Sequence, residues 1–243
     1  MGAPCAPFGI LLYNNVLLVA DEGGCAPGDG AVEAFDTTTT PATFQRNLDT
    51  NGYPNPFHPF GIVVGPDGAL YVANRPLPGQ AGIGDVVRFD LTGPNKFKFR
   101  DVFVSGASCR CNLDHPSGII FGRDRRLYVT SSKPTGPNVP SNDTDKILIF
   151  NGTTGGFIDK IDLDTPFGQR SAAPGLLFGP QGLLYVTIAQ LDDRDIPTGV
   201  GSMRRYNVAT KLFHDVVPSN TKLRLPSLFT FGGTNPATLV YEK

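Results

Sequence analysis

The sequence predicts an all-β fold built from repeated four-stranded units, and three observations carry that prediction. The first is a repeat: "HPFGIVVGPDGALYVA" (58–73), "HPSGIIFGRDRRLYVT" (115–130) and "APGLLFGPQGLLYVT" (173–187) share one pattern. Their tyrosines, Tyr71, Tyr128 and Tyr185, follow one another at 57 residues (128 − 71 and 185 − 128). Self-similarity at a fixed period marks a repeat architecture. The second is composition: Gly 29 and Pro 22 among 243 residues suit many tight turns rather than long helices. The third is a gradient of polarity inside each repeat, from a wholly apolar run to a charged one.

Two more copies flank the three. "PFGILLYNNVLLVAD" (7–21) lies upstream with a shorter turn, and a degenerate copy, "LPSLFTFGGTNPATLVYEK" (225–243), closes the chain. The first strand of each unit is a continuous apolar run, "GILLY", "GIVV", "GIIF", "GLLF" and "LFTF", which predicts burial on both faces. A turn such as Gly65-Pro66-Asp67-Gly68 follows, with Pro and Gly where a tight turn favours them. The second strand reads "LLVA", "LYVA" or "LYVT". The third ends in an aromatic and then Asp or Asn, at Phe35-Asp36, Phe89-Asp90, Phe150-Asn151 and Tyr206-Asn207. The fourth is more polar: "KFKFRDVFV", "GFIDKIDL" and "KLFHDVV". Its Lys/Phe alternation gives one packed and one wet face, and charge on an outer strand discourages edge-to-edge pairing.

An apolar inner strand and a charged outer one, repeated about every 50 residues, predict a β-propeller of four-stranded antiparallel blades. The blades fall near 7–52, 53–109, 110–166 and 167–222, with a partial fifth at 223–243, all within one domain, 1–243. The fifth copy stops after its second strand. The ring therefore closes around a reduced blade, belongs to a larger propeller, or is completed by another copy through edge pairing.

On "PFGIVVGPDGALYVAN", "PSGIIFGRDRRLYVTSS" and "DKILIFNGTTGGFIDKIDL" the chain resembles the NHL-repeat propellers and the related SMP-30/gluconolactonase-like propellers, over nearly its whole length. The resemblance implies the fold and leaves activity open, because lactonases, lyases and binding scaffolds share it. It also implies that the fourth-to-first and second-to-third connections share a face. In this chain those connections are the long ones, 22–30, 75–84, 131–145 and 189–201, against brief turns such as "NGTTGG" and "NVATK". A site is expected among them.

His58 and His115 precede the first strands of blades two and three, where blades one and four carry Ala6 and Ala172. They break the repeat. Asp21, Glu22 and Asn74 end second strands on the same face, and Asp114 lies beside His115. Imidazole with carboxylate suits a metal ligand set or a general base, with Ca2+ or Zn2+ as the candidate ions. Cys109 and Cys111 with His115 and His58 would make a tetrahedral zinc site. The competing reading makes each His-Pro pair a blade cap. The lactonase-like branch implies axial Glu, Asn and Asp ligands, with a Glu just before the Gly-Pro of a first strand. Here Ala6-Pro7, His58-Pro59 and His115-Pro116 stand there instead, leaving Asn74 and Glu22 as substitutes. The NHL-type lyases imply histidine-bound zinc with three histidines, and two face the axis here. His214 reads as a solvated edge residue, and the acidic run 191–195 as a solvated loop or a calcium loop.

Cys5, Cys25, Cys109 and Cys111 all fall in Gly/Pro-rich connections, which fits disulfides and an oxidising compartment. Cys5–Cys25 is the preferred pair, with Cys109–Cys111 a small ring or two thiols. The sequons at Asn142 and Asn151 are compatible with secretion. A net charge of −1 gives no footprint for nucleic acid or anionic membrane. No stretch approaches the ~20 apolar residues of a membrane span, and "MGAPCAPFGI" has no signal-peptide architecture, so a targeting segment is absent or removed. The expectation is a secreted or extracytoplasmic NHL-like propeller. It would bind a protein, glycan or small molecule on its long-loop face, or self-associate through the incomplete fifth blade. The alternative is a metal-dependent hydrolase or lyase of the SMP-30/lactonase type, in which a cation polarises a carbonyl or phosphoryl oxygen.

Overall fold

The computed structural model of the chain describes residues 4–23, 30–76, 83–134, 143–165, 168–192 and 196–242. Four antiparallel sheets stand in a ring, each meandering in sequence order from an inner to an outer strand. Blade one holds β1 (Pro7–Tyr13), β2 (Val16–Asp21), β3 (Ala31–Asp36) and β4 (Thr43–Asn47). Blade two holds β5 (Pro59–Val64), β6 (Leu70–Asn74), β7 (Asp85–Phe89) and β8 (Phe99–Ser105), followed by a single helical turn, α1 (Gly106–Cys109). Blade three holds β9 (His115–Phe121), β10 (Arg126–Ser132), β11 (Lys146–Asn151) and β12 (Phe157–Asp162). In blade four the inner position is split between β13 (Arg170–Ala172) and β14 (Leu176–Phe178). Both pair with β15 (Leu184–Leu191), which is followed by β16 (Pro197–Tyr206) and β17 (Phe213–Asn220). The predicted propeller, with a reduced fifth unit, is what the chain adopts.

Blade stacking follows from one place in the repeat. A Cβ built at Gly9, Gly61, Gly118 or Gly175 would stand 2.4, 2.1, 3.2 or 2.3 Å from the carbonyl oxygen of Phe60, Ser117, Pro174 or Ser227. Only a residue without a side chain lets the next blade's backbone come so close. An aromatic contact repeats beside it. Tyr71 meets Phe121, Tyr128 meets Phe178 and Tyr185 meets Phe231 at 4.9, 5.1 and 5.0 Å between ring centroids, each near edge-to-face. Such pairs add about 0.5–1.5 kcal/mol beyond their buried area. The three tyrosines are core residues, as their recurrence implied.

Ser227 and Phe231 fill the same two places against blade four that a next blade's first strand fills elsewhere. The fifth copy therefore sits where a fifth blade would begin. Among the described residues it forms no strand ladder, only a turn closed by the Thr234–Tyr241 bridge. Residues 236–241 then cross the short-turn end of the ring. Pro236 O accepts from Leu12 N, Ala237 O from Val64 N, and Tyr241 O from Arg123 Nη2. The tail thus touches all four blades.

Besides the fifth copy, whose expected buried first strand and second strand do not form among the described residues, two sequence expectations are corrected. β5 and β9 are buried on both faces, but β1 is not: Leu11 is 1% exposed, whereas Ile10 is 59% and Leu12 36% exposed. No blade stacks on that side of blade one among the described residues. The fourth strand of blade two also begins later than "KFKFR" suggests. Phe97 adopts a left-handed conformation (φ 68°) in the preceding turn, yet its ring is still buried, so the packed/wet alternation holds while the ladder starts at Phe99.

Gly61→Ala is expected to lower stability by about 1–3 kcal/mol, the usual cost of forcing atoms into a filled site. Urea unfolding of the two proteins measures it, and an unchanged midpoint would show that the blades can separate without strain.

Candidate functional site

The long connections root on one face, where the ends of β2, β6 and β10 meet the starts of β1, β5 and β9. Asp21, the last residue of β2, accepts hydrogen bonds from the backbone N–H groups of Cys5, Ala6 and Gly23 at 2.7, 2.8 and 3.0 Å. Burial alone would raise its carboxyl pKa; the three donors outweigh it and hold the group below the usual carboxylate value. Asp21 therefore ties the chain leading into β1 to the end of β2.

Glu22, 5% exposed, pairs with Arg75 Nε at 2.6 Å. Arg75 Nη1 donates to Ser117 Oγ at 3.2 Å, and its guanidinium lies 3.9 Å from the centre of the Phe60 ring. Phe60 in turn stacks on Phe8 at 4.1 Å. One cation thus links β5, β9 and the end of β2, in three consecutive blades, by ion pair, hydrogen bond and ring face. His58 Nδ1 lies 3.0 Å from Glu22 O, and its backbone N–H donates to Asn74 Oδ1 at 2.6 Å. Asn74 Nδ2 donates to Tyr53 OH and Pro56 O, and Tyr53 OH donates to Asp85 Oδ2 at 2.7 Å. Asp85 also accepts from Asn55 Nδ2 and Gly106 N.

Of the sequence candidates, Glu22, His58 and Asn74 share this network and Asp21 adjoins it. Asp114 belongs to a second cluster. Lys146, 1% exposed, donates to Asp143 Oδ1 at 2.7 Å and stands 3.8 Å from Asp114 Oδ2. Burial raises the Asp114 pKa, with Lys146 opposing. His115 opens β9 opposite Ser132 and is half-buried. Among the described residues no group of three His, Cys, Asp or Glu is arranged to hold a metal ion. Nor do Glu22 and Asn74 fit an axial cation as they stand, since a guanidinium faces the one and a backbone N–H the other.

Cys109 and Cys111 are bonded to each other, with Cα atoms 5.2 Å apart, so their sulfurs are not thiolate donors for the zinc set considered above. Cys5 is disulfide-bonded. Cys25 and Asn142 lie outside the described residues, as does most of the acidic run, 193–195. Asn151 opens an exposed turn, where its Oδ1 accepts from Thr153 N and Thr154 N. His214 is exposed on β17.

A third cluster was not anticipated. Asp145, 0% exposed, accepts from Arg170 Nη2 at 2.7 Å, Lys133 N at 2.9 Å and Ser171 N at 2.9 Å. Burial pushes its pKa up and the Arg170 guanidinium more than offsets that. Its neighbour Asp164 accepts from Asp145 N, and burial together with the Asp145 charge raises the Asp164 pKa to about 7. A sequence signal existed for part of these clusters. Asp85 and Lys146 open third strands at the same ladder place, each just before apolar residues (Val86-Val87 and Ile147 to Phe150), and pair with Asn74 and Ser131. A charge entering a buried strand needs a partner.

No family model matches the chain, and no curated protein matches it. Solved structures do. A 6-phosphogluconolactonase candidate from Bacteroides uniformis matches at 14% identity with a TM-score of 0.51, covering 88% of this chain and 54% of its own. Virginiamycin B lyase from Staphylococcus aureus matches at 17% and 0.51, covering 87% and 55%. The extracellular domain of a one-component system candidate from B. thetaiotaomicron matches at 13% and 0.52, covering 98% and 24%. At these identities the likeness is one of fold. The chain spans about half the length of the first two and about a quarter of the third.

The Asp145–Asp164 pair sets a pH dependence. Below about pH 4 the Asp164 carboxyl is protonated whether the chain is folded or unfolded, and its contribution is fully present. As pH rises from there to about 7 the unfolded chain releases that proton first, so stability falls. Asp164→Asn is expected to flatten thermal stability between pH 5 and 8. At pH 8 it should exceed the wild type by about 1–2 kcal/mol, the solvent-accessible carboxyl being partly screened. Parallel melts across that range test this, and identical pH profiles would remove the pair as the cause.

Proposed function

We propose that the chain is an extracytoplasmic, NHL-type propeller that acts as a binding module through its long-loop face, taking a protein or glycan partner. One observation carries the reading: Asp21, Glu22, His58 and Asn74, candidates for chemistry there, are engaged in holding the loop roots. Asp21 secures the strand leading into blade one, Glu22 is paired with Arg75, and His58 and Asn74 bond to backbone or to each other. A face braced in this way displays its connections on a rigid frame, which is how loops acquire binding roles. The Cys109–Cys111 disulfide and the oxidised Cys5 support an oxidising compartment. Asn151, in its exposed turn, is placed where a glycan would be tolerated.

The competing reading, a metal-dependent hydrolase or lyase, is decided by the same preparation. Labelled full chain is applied to glycan and peptide arrays beside a variant whose residues 77–82 and 135–142 are replaced by Gly/Ser. Selective binding that the variant loses, at an unchanged melting temperature, is the expected result. Lactone or ester turnover that requires added calcium or zinc and disappears in His58→Ala/His115→Ala would overturn the proposal.

A further inference from the structure

Below the Arg75 bridge the ring encloses a cavity of about 500 Å³. Its wall is made by the first strands β1, β5, β9 and β14, with Leu228 and Phe229 of the tail standing where a fifth first strand would. Phe60, held under the Arg75 guanidinium, lines it, and Pro236 and Leu239 of the crossing tail line it as well. Leu239 packs into two of the inter-blade cores, so the tail is fixed there. No lining residue carries a charge, and the hydroxyl of Thr230 already donates to a backbone carbonyl. The mouth is marked by Ile10 and Leu228, both lining the cavity and 59% and 56% exposed.

Two occupants suit such a space, a further chain stacked as a blade or a small apolar molecule. The first is disfavoured by the repeat itself. Blade stacking needs glycine at the place held by Gly9, Gly61, Gly118 and Gly175, where an incoming carbonyl approaches to within contact of the backbone. In the tail that place is Leu228 (Phe178 and Phe231 align, so 175 falls on 228), and a first strand arriving in the same register would meet a leucine side chain. We propose that this cavity binds one uncharged apolar small molecule, admitted between Ile10 of β1 and Leu228 of the tail. Its size lies within the 300–1,000 Å³ of small-molecule sites, which are largely apolar. Water would find few partners there. The site is separate from the long-loop face, and the inference does not rest on the binding role proposed for that face.

The test uses the full chain and the neutral fluorophore N-phenyl-1-naphthylamine. One saturable site per chain is expected. Ile10→Trp and Leu228→Trp, both at exposed positions that tolerate bulk, should each weaken binding roughly tenfold or more, equivalent to about 1.4 kcal/mol. Leu212→Trp, on an exposed residue outside the cavity, should leave it unchanged. Melting temperatures and light scattering accompany each titration. Three results would overturn the proposal: no saturable binding, equal binding by the mouth variants, or a stable dimer that excludes the probe and dissociates when Leu228 is changed.

Discussion

The distance between blades depends on a backbone oxygen approaching a backbone carbon with nothing between them. At Gly61 the gap would leave an added methyl 2.1 Å from Ser117 O. With that spacing fixed, the second-strand tyrosines can reach the end of the next inner strand, edge-to-face against Phe121 and Phe178. The same spacing draws the inner strands together around the axis. It also explains why the inner strand had to be apolar throughout: side chains on both of its faces lie between sheets.

At the long-loop face the protein does something different, burying charge in quantity. Arg75, Lys146 and Arg170 are each matched to carboxylates at the strand ends, and the surrounding hydrogen bonds run from one blade to the next. Burying such ions costs desolvation, and they persist only where geometry supplies their partners. The benefit is positional. A hydrophobic contact can slide, whereas Glu22 with Arg75, or Asp145 with Arg170, specifies one arrangement of the connections around it. The raised pKa of Asp164 belongs to the same arrangement, since burial and the neighbouring Asp145 charge both disfavour a second carboxylate there.

The inner strands, turns and tyrosines were legible in the sequence because period and polarity are local properties. The bare face of β1 was not, since "GILLY" reads the same whether or not a neighbour covers it; blade two covers the Gly9 and Leu11 side, and no described blade covers Ile10 and Leu12. The start of β8 was misplaced because the alternation of "KFKFR" survives a turn at Phe97. His58 was picked out as a departure from the repeat and Asn74 as the end of a second strand on the same face, and they do meet. Arg75 was passed over although it follows Asn74 directly, because the ion pair that gives it meaning reaches back 53 residues to Glu22. Arg170 with Asp145 and Lys146 with Asp114 were missed for the same reason. Sequence spacing carries no information about which buried cation finds which carboxylate.

The tail has a mechanical meaning that the strand pattern does not convey. A row of blades held only by nearest neighbours behaves as a one-dimensional stack, in which an end unit can fray while the rest stays folded. Hydrogen bonds donated by Leu12 N to Pro236 O, Val64 N to Ala237 O and Arg123 Nη2 to Tyr241 O join units that are distant in that row. They act as a tie-rod. Loosening blade one then strains blade three through the same short peptide, and a modular array becomes a body that yields as a whole. Cooperativity, usually credited to a core, would here be shared between the inter-blade cores and residues 236–241.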